Sequence, residues 1–317
     1  MLEGFEFSRF SFRIEAEEDI VLPPYKGSTF RGGFGVAMKR VVCVARGKSC
    51  DECILKYKCI YSYIFETPTP KDTDRLKGYT NIPHPFVIEP PDEPKRLYRP
   101  GETITFNLVL IGRAIEYLPY FIYTFEELGK QGIGNGRGKY TLKEVCTTNP
   151  SDWTKLYSRE DKTFRGSKDY IVKGSDIALP KINDSLTLKL VTPLRLMANG
   201  SIARDIDFHH IFRSALRRIS NLMYFHCDKE LCVDFKGLIE RAEKVKTVRK
   251  ELSWYDWERY SFRQSIRINM GGLTGTLSVE GELGEFLPFI ALGEYIHIGK
   301  GTSFGLGKIR IIESESR

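Results

Sequence analysis

Four cysteines fall within seventeen residues of this chain, Cys43, Cys50, Cys53 and Cys59, in the pattern C-x6-C-x2-C-x5-C. Thiolates are soft ligands, and a C-x2-C core suits tetrahedral Zn²⁺. A zinc ion held by all four would be structural, because no coordination position stays open for water. A four-iron, four-sulfur cluster also takes four cysteines and is the second reading. Four thiols packed without metal are the third. Cys146, Cys227 and Cys232 are dispersed and read as core residues.

A second set of residues suits an anion. Gly299-Lys300-Gly301-Thr302-Ser303-Phe304-Gly305-Leu306-Gly307 combines glycines that let backbone approach a ligand with donors at Lys300, Thr302 and Ser303, as a phosphate site requires. It is not a P-loop: the Gly-Lys-Ser/Thr ending is absent, and the loop follows a helix and precedes a strand. A tight connection packed on a sheet is the plainer alternative. Upstream, the chain alternates from Arg259 to Ile268. Read as one strand, it places Arg259, Ser261, Arg263, Ser265 and Arg267 on one face, with arginines roughly 13 Å apart along a phosphate backbone. Trp254, Tyr255 and Trp257 precede it as stacking surfaces. A solvated face whose arginines pair with carboxylates is the competing reading.

The elements that must position these residues come in two copies. Leu118-Pro119-Tyr120-Phe121 and Gly136-Arg137-Gly138-Lys139-Tyr140 recur 169 positions later as Leu287-Pro288-Phe289-Ile290 and Gly305-Leu306-Gly307-Lys308-Ile309. One offset covers both matches, so each copy reads as strand, turn, apolar helix, glycine-rich loop, strand. The preceding halves match more weakly, with Phe34, Ala37 and Met38 set against Phe212, Ala215 and Leu216. The expected fold is α+β: two tandem ferredoxin-like βαββαβ domains with a C-terminal glycine-rich loop. Residues 1–150 form the N-terminal domain with a four-cysteine insertion at 43–59, 151–183 a linker, and 184–317 the C-terminal domain.

A length of 317 residues fits two domains, and a net charge of +7 with pI near 8.9 favours an anionic partner without specifying one. The start lacks a basic n-region followed by an apolar stretch, and no apolar run reaches membrane-spanning length. A cytoplasmic protein without a membrane partner is expected, and there cysteine clusters bind metal more often than they form disulfides.

Three stretches carry a family resemblance: Leu22-Pro-Pro-Tyr-Lys-Gly-Ser-Thr-Phe-Arg-Gly-Gly-Phe-Gly35, Arg259-Tyr-Ser-Phe-Arg-Gln264, and Leu292 to Gly307. With the duplicated fold, the sequence resembles the RAMP superfamily of CRISPR-associated proteins, and within it the endoribonucleases that cut precursor CRISPR RNA, in their cysteine-containing branch. The resemblance implies binding of CRISPR repeat RNA, cleavage without a metal, and a place in or beside a CRISPR effector complex. The alternative function is a non-cleaving RNA-binding RAMP subunit of such a complex.

Metal-independent cleavage uses the ribose 2′-hydroxyl as nucleophile, so the enzyme must remove a proton, supply one and neutralise the phosphorane. His297, just before the glycine-rich loop, with Lys300, is the first candidate for the proton carrier. The resemblance places a histidine in the Phe-Gly-x-Ala segment, where this chain has Val36. Tyr25 and Lys39 are the substitutes. RNA binding is expected from Arg259, Arg263, Arg267, Gly299, Gly301, Thr302, Ser303, Gly305 and Gly307, with Arg213 and Arg217 on the helix that begins near His209 and His210. His84 and His226 are read as structural.

Overall fold

The computed structural model describes the chain apart from residues 74, 77–81, 149–152, 167–169, 183, 199, 262–265 and 313–317, and apart from the side chains of Tyr260 and Ser261. It divides into two compact units. The first comprises Glu6–Ile171 with Phe225–Asp228, and the second Met1–Phe5, Val172–Tyr224 and Lys229–Arg317.

In the first unit the order is β1 (Glu6–Ala16), α1 (Gly27–Val42), β2 (Phe86–Glu89), β3 (Thr103–Ile111), α2 (Leu118–Gln131) and β4 (Tyr140–Thr147). The sheet runs β2-β3-β1-β4 with antiparallel neighbours throughout, the arrangement of a ferredoxin-like βαββαβ unit. Strand alternation turns Phe10, Phe12 and Ile14 of β1 to the helices. There Phe34 of α1 stacks on Phe121 and Phe125 of α2, with centroids 4.8 and 4.9 Å away. All are fully buried, and removing one such ring costs about 3–5 kcal/mol.

The second unit repeats the plan with β6 (Ser185–Leu194), α3 (Phe208–His226), a short α4 (Phe235–Ala242), β7 (Lys246–Tyr255), β10 (Gly272–Glu280), α5 (Leu287–Ile296) and β11 (Ile309–Ile312). Its sheet runs β7-β10-β6-β11, again antiparallel. The sequence repeat is reproduced residue for residue: α2 and α5 begin at Leu118 and Leu287, each with proline in the first turn, and β4 and β11 begin at Tyr140 and Ile309. Proline fits there because its missing N–H has no partner within the helix in any case. Both glycine-rich loops therefore join the second helix of a unit to its last strand.

Two expectations are corrected. The stretch read as a linker is partly built into the first unit, since β5 (Lys155–Ser158) adds to the sheet edge beside β4. The alternating run from Arg259 is not one strand. It is split between β8 (Glu258–Ser261) and β9 (Ile266–Asn269), which pair antiparallel. No described helix is long and apolar enough to cross a membrane.

Candidate functional site

The glycine-rich loop of the second unit is built by close backbone contacts with the end of β6. Gly299, Gly301, Gly305 and Gly307 all have left-handed φ between 72° and 87°. A Cβ on Gly307 would stand 1.8 Å from the Ile298 carbonyl oxygen, and one on Gly299 would stand 2.5 Å from that of Arg195. The glycines are thus needed by the loop's own packing. Its amides are also largely committed: Lys300 N–H donates to Arg195 O, Gly305 N–H to Thr302 O and Gly307 N–H to Pro193 O. Thr302 and Ser303 are buried, and Lys300 is the exposed charge of the loop.

His297 differs from the sequence expectation. It ends α5 with φ 60°, is fully buried, and its Nδ1 donates to Leu306 O at 3.0 Å. A catalytic imidazole must reach substrate; this one is enclosed and holds the loop to the helix end. Arg218 completes the anchorage. Buried, it donates twice to Ile296 O, at 3.2 and 3.1 Å, and burial depresses its pKa to about 9. It thereby satisfies a terminal helix carbonyl that α5 itself cannot.

The split of the basic stretch changes what its arginines can do. Residues directly opposite in an antiparallel pair share a face, and Arg259 lies opposite Ile268 while Tyr260 lies opposite Arg267. Arg259 and Arg267 therefore occupy opposite faces of the hairpin, and the single-faced ladder does not form. Arg259 lies over the Phe304 ring of the glycine-rich loop at 4.8 Å, half-buried, and its buried Nε has no hydrogen-bond partner among the described residues. Arg267 is exposed, 3.9 Å from Glu258. Arg263 lies outside the described residues. On α3, Arg213 and Arg217 are exposed one turn apart. His209 and His210 lie beside Asp207, whose carboxylate binds Thr247 and Lys250. Burial, then the neighbouring His210, lowers the pKa of His209. Two basic groups escape a reading of the sequence, Arg195, which donates to Gly271 O, and Arg204, which covers Trp254 at 4.5 Å.

In the first unit the substitutes for the missing histidine are spread apart. Tyr25 precedes α1 and Lys39 lies in its last turn, about 21 Å along the axis at 1.5 Å per residue. One phosphate cannot touch both. Lys39 instead sits against the Cys50 thiol and 5.6 Å from the Tyr61 ring. Val36 is exposed on α1.

A different cluster forms beside α1. Ser62–Glu66 is a π-helical turn, capped by Thr67 in the left-handed region at φ 44°. Both features are unfavourable for these residue types and concentrate at functional sites. Gly35 lacks the Cβ that would stand 2.3 Å from the Phe65 ring, so Phe65 lies on the helix, and Arg31 covers that ring at 4.2 Å. Arg31 Nη2 is 3.4 Å from His84 Nε2. Thr67 Oγ1 donates to Ile82 O at 2.9 Å and stands 3.0 Å from His84 Nδ1. With its own proton on Ile82, that hydroxyl accepts from Nδ1–H, which leaves the basic lone pair on Nε2, beside the guanidinium. His226 Nε2 donates to the carbonyl of Pro83 at 2.8 Å and so fixes the residue before His84. His84 is half-buried. The sequence alone points to a structural role for it, because 53 positions separate it from Arg31 and only the tertiary fold joins them.

The four clustered cysteines are brought together. Cys43, Cys50, Cys53 and Cys59 line one cavity, and all four are thiols of intermediate burial. Burial raises the pKa of Cys50, partly offset by Lys39.

Comparison with known proteins agrees with this architecture. Residues 5–169 match the family described as AF_1859_N, N-terminal domain, and residues 188–309 match CRISPR-associated endoribonuclease Cas6. Over 304 residues the chain is 27% identical to an uncharacterized protein of Archaeoglobus fulgidus, covering 92% of each. Its fold is similar to that of Thermus thermophilus Cas6, at TM-score 0.55 and 13% identity over 97% of this chain and 99% of that one. A product complex of the same Cas6 gives 0.58 and 16% over 96% and 100%. A partial Cas6-RT-Cas1–Cas2 complex gives 0.56 and 12% over 98% of this chain and 46% of the other. With residues 5–169 matched over more than half of its length, the chain belongs to the AF_1859_N family, and its C-terminal part matches the CRISPR-associated endoribonuclease Cas6 model on a Cas6-like fold of two ferredoxin-like units.

Proposed function

We propose that this protein binds CRISPR repeat RNA and cleaves the precursor by metal-independent attack of a ribose 2′-hydroxyl, with His84 as the proton carrier and Arg31 as the charge that stabilises the phosphorane. The observation that carries this reading is the pairing of a histidine Nε2 with a guanidinium 3.4 Å away, on a strained turn against α1, in a chain whose residues 188–309 match the Cas6 endoribonuclease model.

The 2′-hydroxyl gives its proton to His84 Nε2 as the O2′–P bond forms. The P–O5′ bond breaks, and the leaving 5′-oxygen takes a proton from water. One fragment ends in a 2′,3′-cyclic phosphate and the other in a 5′-hydroxyl. Arg31 offers planar donors to the non-bridging oxygens, where negative charge builds up. Thr67 holds the ring in the tautomer that a base requires. RNA phosphates are bound by Lys300, Arg259 and Arg267 of the second unit, with Arg213 and Arg217 on α3. The glycines of the loop shape its backbone rather than serving as a donor nest. Such an enzyme works where the precursor is transcribed, in the cytoplasm.

The test is incubation of purified protein with the repeat RNA of its own genome in EDTA. Cleavage with a cyclic phosphate on the upstream fragment, abolished by a single 2′-deoxy substitution at the cut site with binding retained, is expected. Tight binding without cleavage would instead identify a non-cleaving RAMP subunit of an effector complex, a role that Val36 and the enclosed His297 also allow.

A further inference from the structure

The cleavage reading leaves the four-cysteine cavity unused. Residues 43–59 contain no helix or strand, and their apolar side chains do not face inward: Val44 is 80% exposed, Ile54 96% and Tyr57 50%. The backbone bonds within the segment are local, such as Lys56 N–H to Cys53 O and Cys59 N–H to Leu55 O. A stretch of this kind has no hydrophobic core to offset the entropy of ordering it and needs another staple. The four sulfurs converge where that staple would sit, on one cavity that Lys48 and Lys56 also line. Thiols that merely fill a core are fully buried; none of these four is, although Cys50 and Cys59 pack at the edge of the first unit's core.

We propose that Cys43, Cys50, Cys53 and Cys59 ligate a four-iron, four-sulfur cluster, which serves residues 43–59 in place of a core. Tetrahedral zinc with bonds of about 2.3 Å draws its sulfurs to roughly 3.8 Å from one another. Among the described residues, the one set of three His, Cys, Asp or Glu side chains with all ligand atoms within 4.8 Å of one another is Asp207, His209 and His210. No three of the four sulfurs meet that spacing, so within every three at least one pair stands wider than zinc requires. A cluster spaces its thiolates farther, at roughly 6 Å, because iron and sulfide ions stand between them.

Binding releases the four thiol protons and leaves a centre with a net charge of about −2. Lys39 against Cys50, with Lys48 and Lys56 on the cavity wall, supplies compensating charge, although Lys56 also pairs with Asp51 at 3.2 Å. The staple has a structural reach. Tyr61, on the same wall, stacks on Phe65 at 5.4 Å, the ring that carries Arg31.

Full-length protein purified without oxygen is expected to be brown, with a broad shoulder near about 400 nm and about four irons and four acid-labile sulfides per chain. A colourless preparation is to be incubated with ferrous iron, sulfide and dithiothreitol, and should reach the same stoichiometry. Cys50→Ser and Cys53→Ser should lose the absorption, whereas Cys232→Ser, at an exposed thiol outside the cavity, should keep it. About one zinc per chain with no visible absorption would overturn the cluster in favour of the simple ion. Failure of the wild-type chain to take up iron and sulfide on reconstitution would overturn it as well.

Discussion

His297 shows how a residue of the right type in the right neighbourhood can have another task. Its imidazole is enclosed, and its Nδ1–H is committed to Leu306 O. His297→Ala is expected to lower stability by about 1–3 kcal/mol through the carbonyl left without its donor, measured by denaturant unfolding. The folded variant should still cleave within a few-fold of the wild-type rate. A loss of 100-fold or more in a stably folded variant would return the proton carrier to the loop. Gly307 gives a sharper stability test. At its φ of 72°, a Cβ would come within 1.8 Å of the Ile298 carbonyl oxygen, so a side chain has no way to relax except by moving backbone. Gly307→Ala should cost about 2 kcal/mol or more, seen as a drop in the denaturation midpoint. Gly136, in the glycine-rich loop of the first unit, has φ 83° but open space at Cβ, so Gly136→Ala should cost less.

At the scale of elements, the β8–β9 hairpin meets the glycine-rich loop where Arg259 lies over Phe304. Arg259 and Lys300 bring charge to the loop, Lys300 exposed and Arg259 half-buried over Phe304. Arg259→Ala with Lys300→Ala should weaken repeat-RNA binding and reduce the slope of log affinity against log salt by about 1–2. An unchanged slope would place the RNA elsewhere. Local elements were legible in the sequence where one element fixed its own register. Leu-Pro marked both second helices, and the glycine pairs marked the strands that follow. The hairpin was not legible, since Arg259 to Ile268 alternates as a single strand would, and alternation carries no signal of where a strand ends. The Arg31–Phe65–His84 cluster was hidden for a different reason. It depends on Gly35 admitting an aromatic ring from a π-helical turn and on Thr67 in a backbone conformation that no sequence pattern announces.

For the whole molecule, a 169-residue repeat in the sequence became two ferredoxin-like units with matching strand orders, so fold and duplication followed from periodicity alone. Chemistry did not follow in the same way, because each unit has a glycine-rich loop but, among the described residues, the π-turn and the four-cysteine cavity belong to the first unit alone. The central claim is that the imidazole beside α1 moves the proton. It is tested most directly by single-turnover cleavage of repeat RNA in EDTA by wild type and His84→Ala, at protein concentrations that saturate binding, with and without added imidazole. Wild type should cut, and His84→Ala should bind the same RNA with little change yet cut about 100-fold more slowly or worse, with part of the rate restored by imidazole. Cleavage by His84→Ala at the wild-type rate would contradict the assignment while leaving the endoribonuclease in place; a wild-type protein that binds the repeat and never cuts it would contradict the endoribonuclease itself.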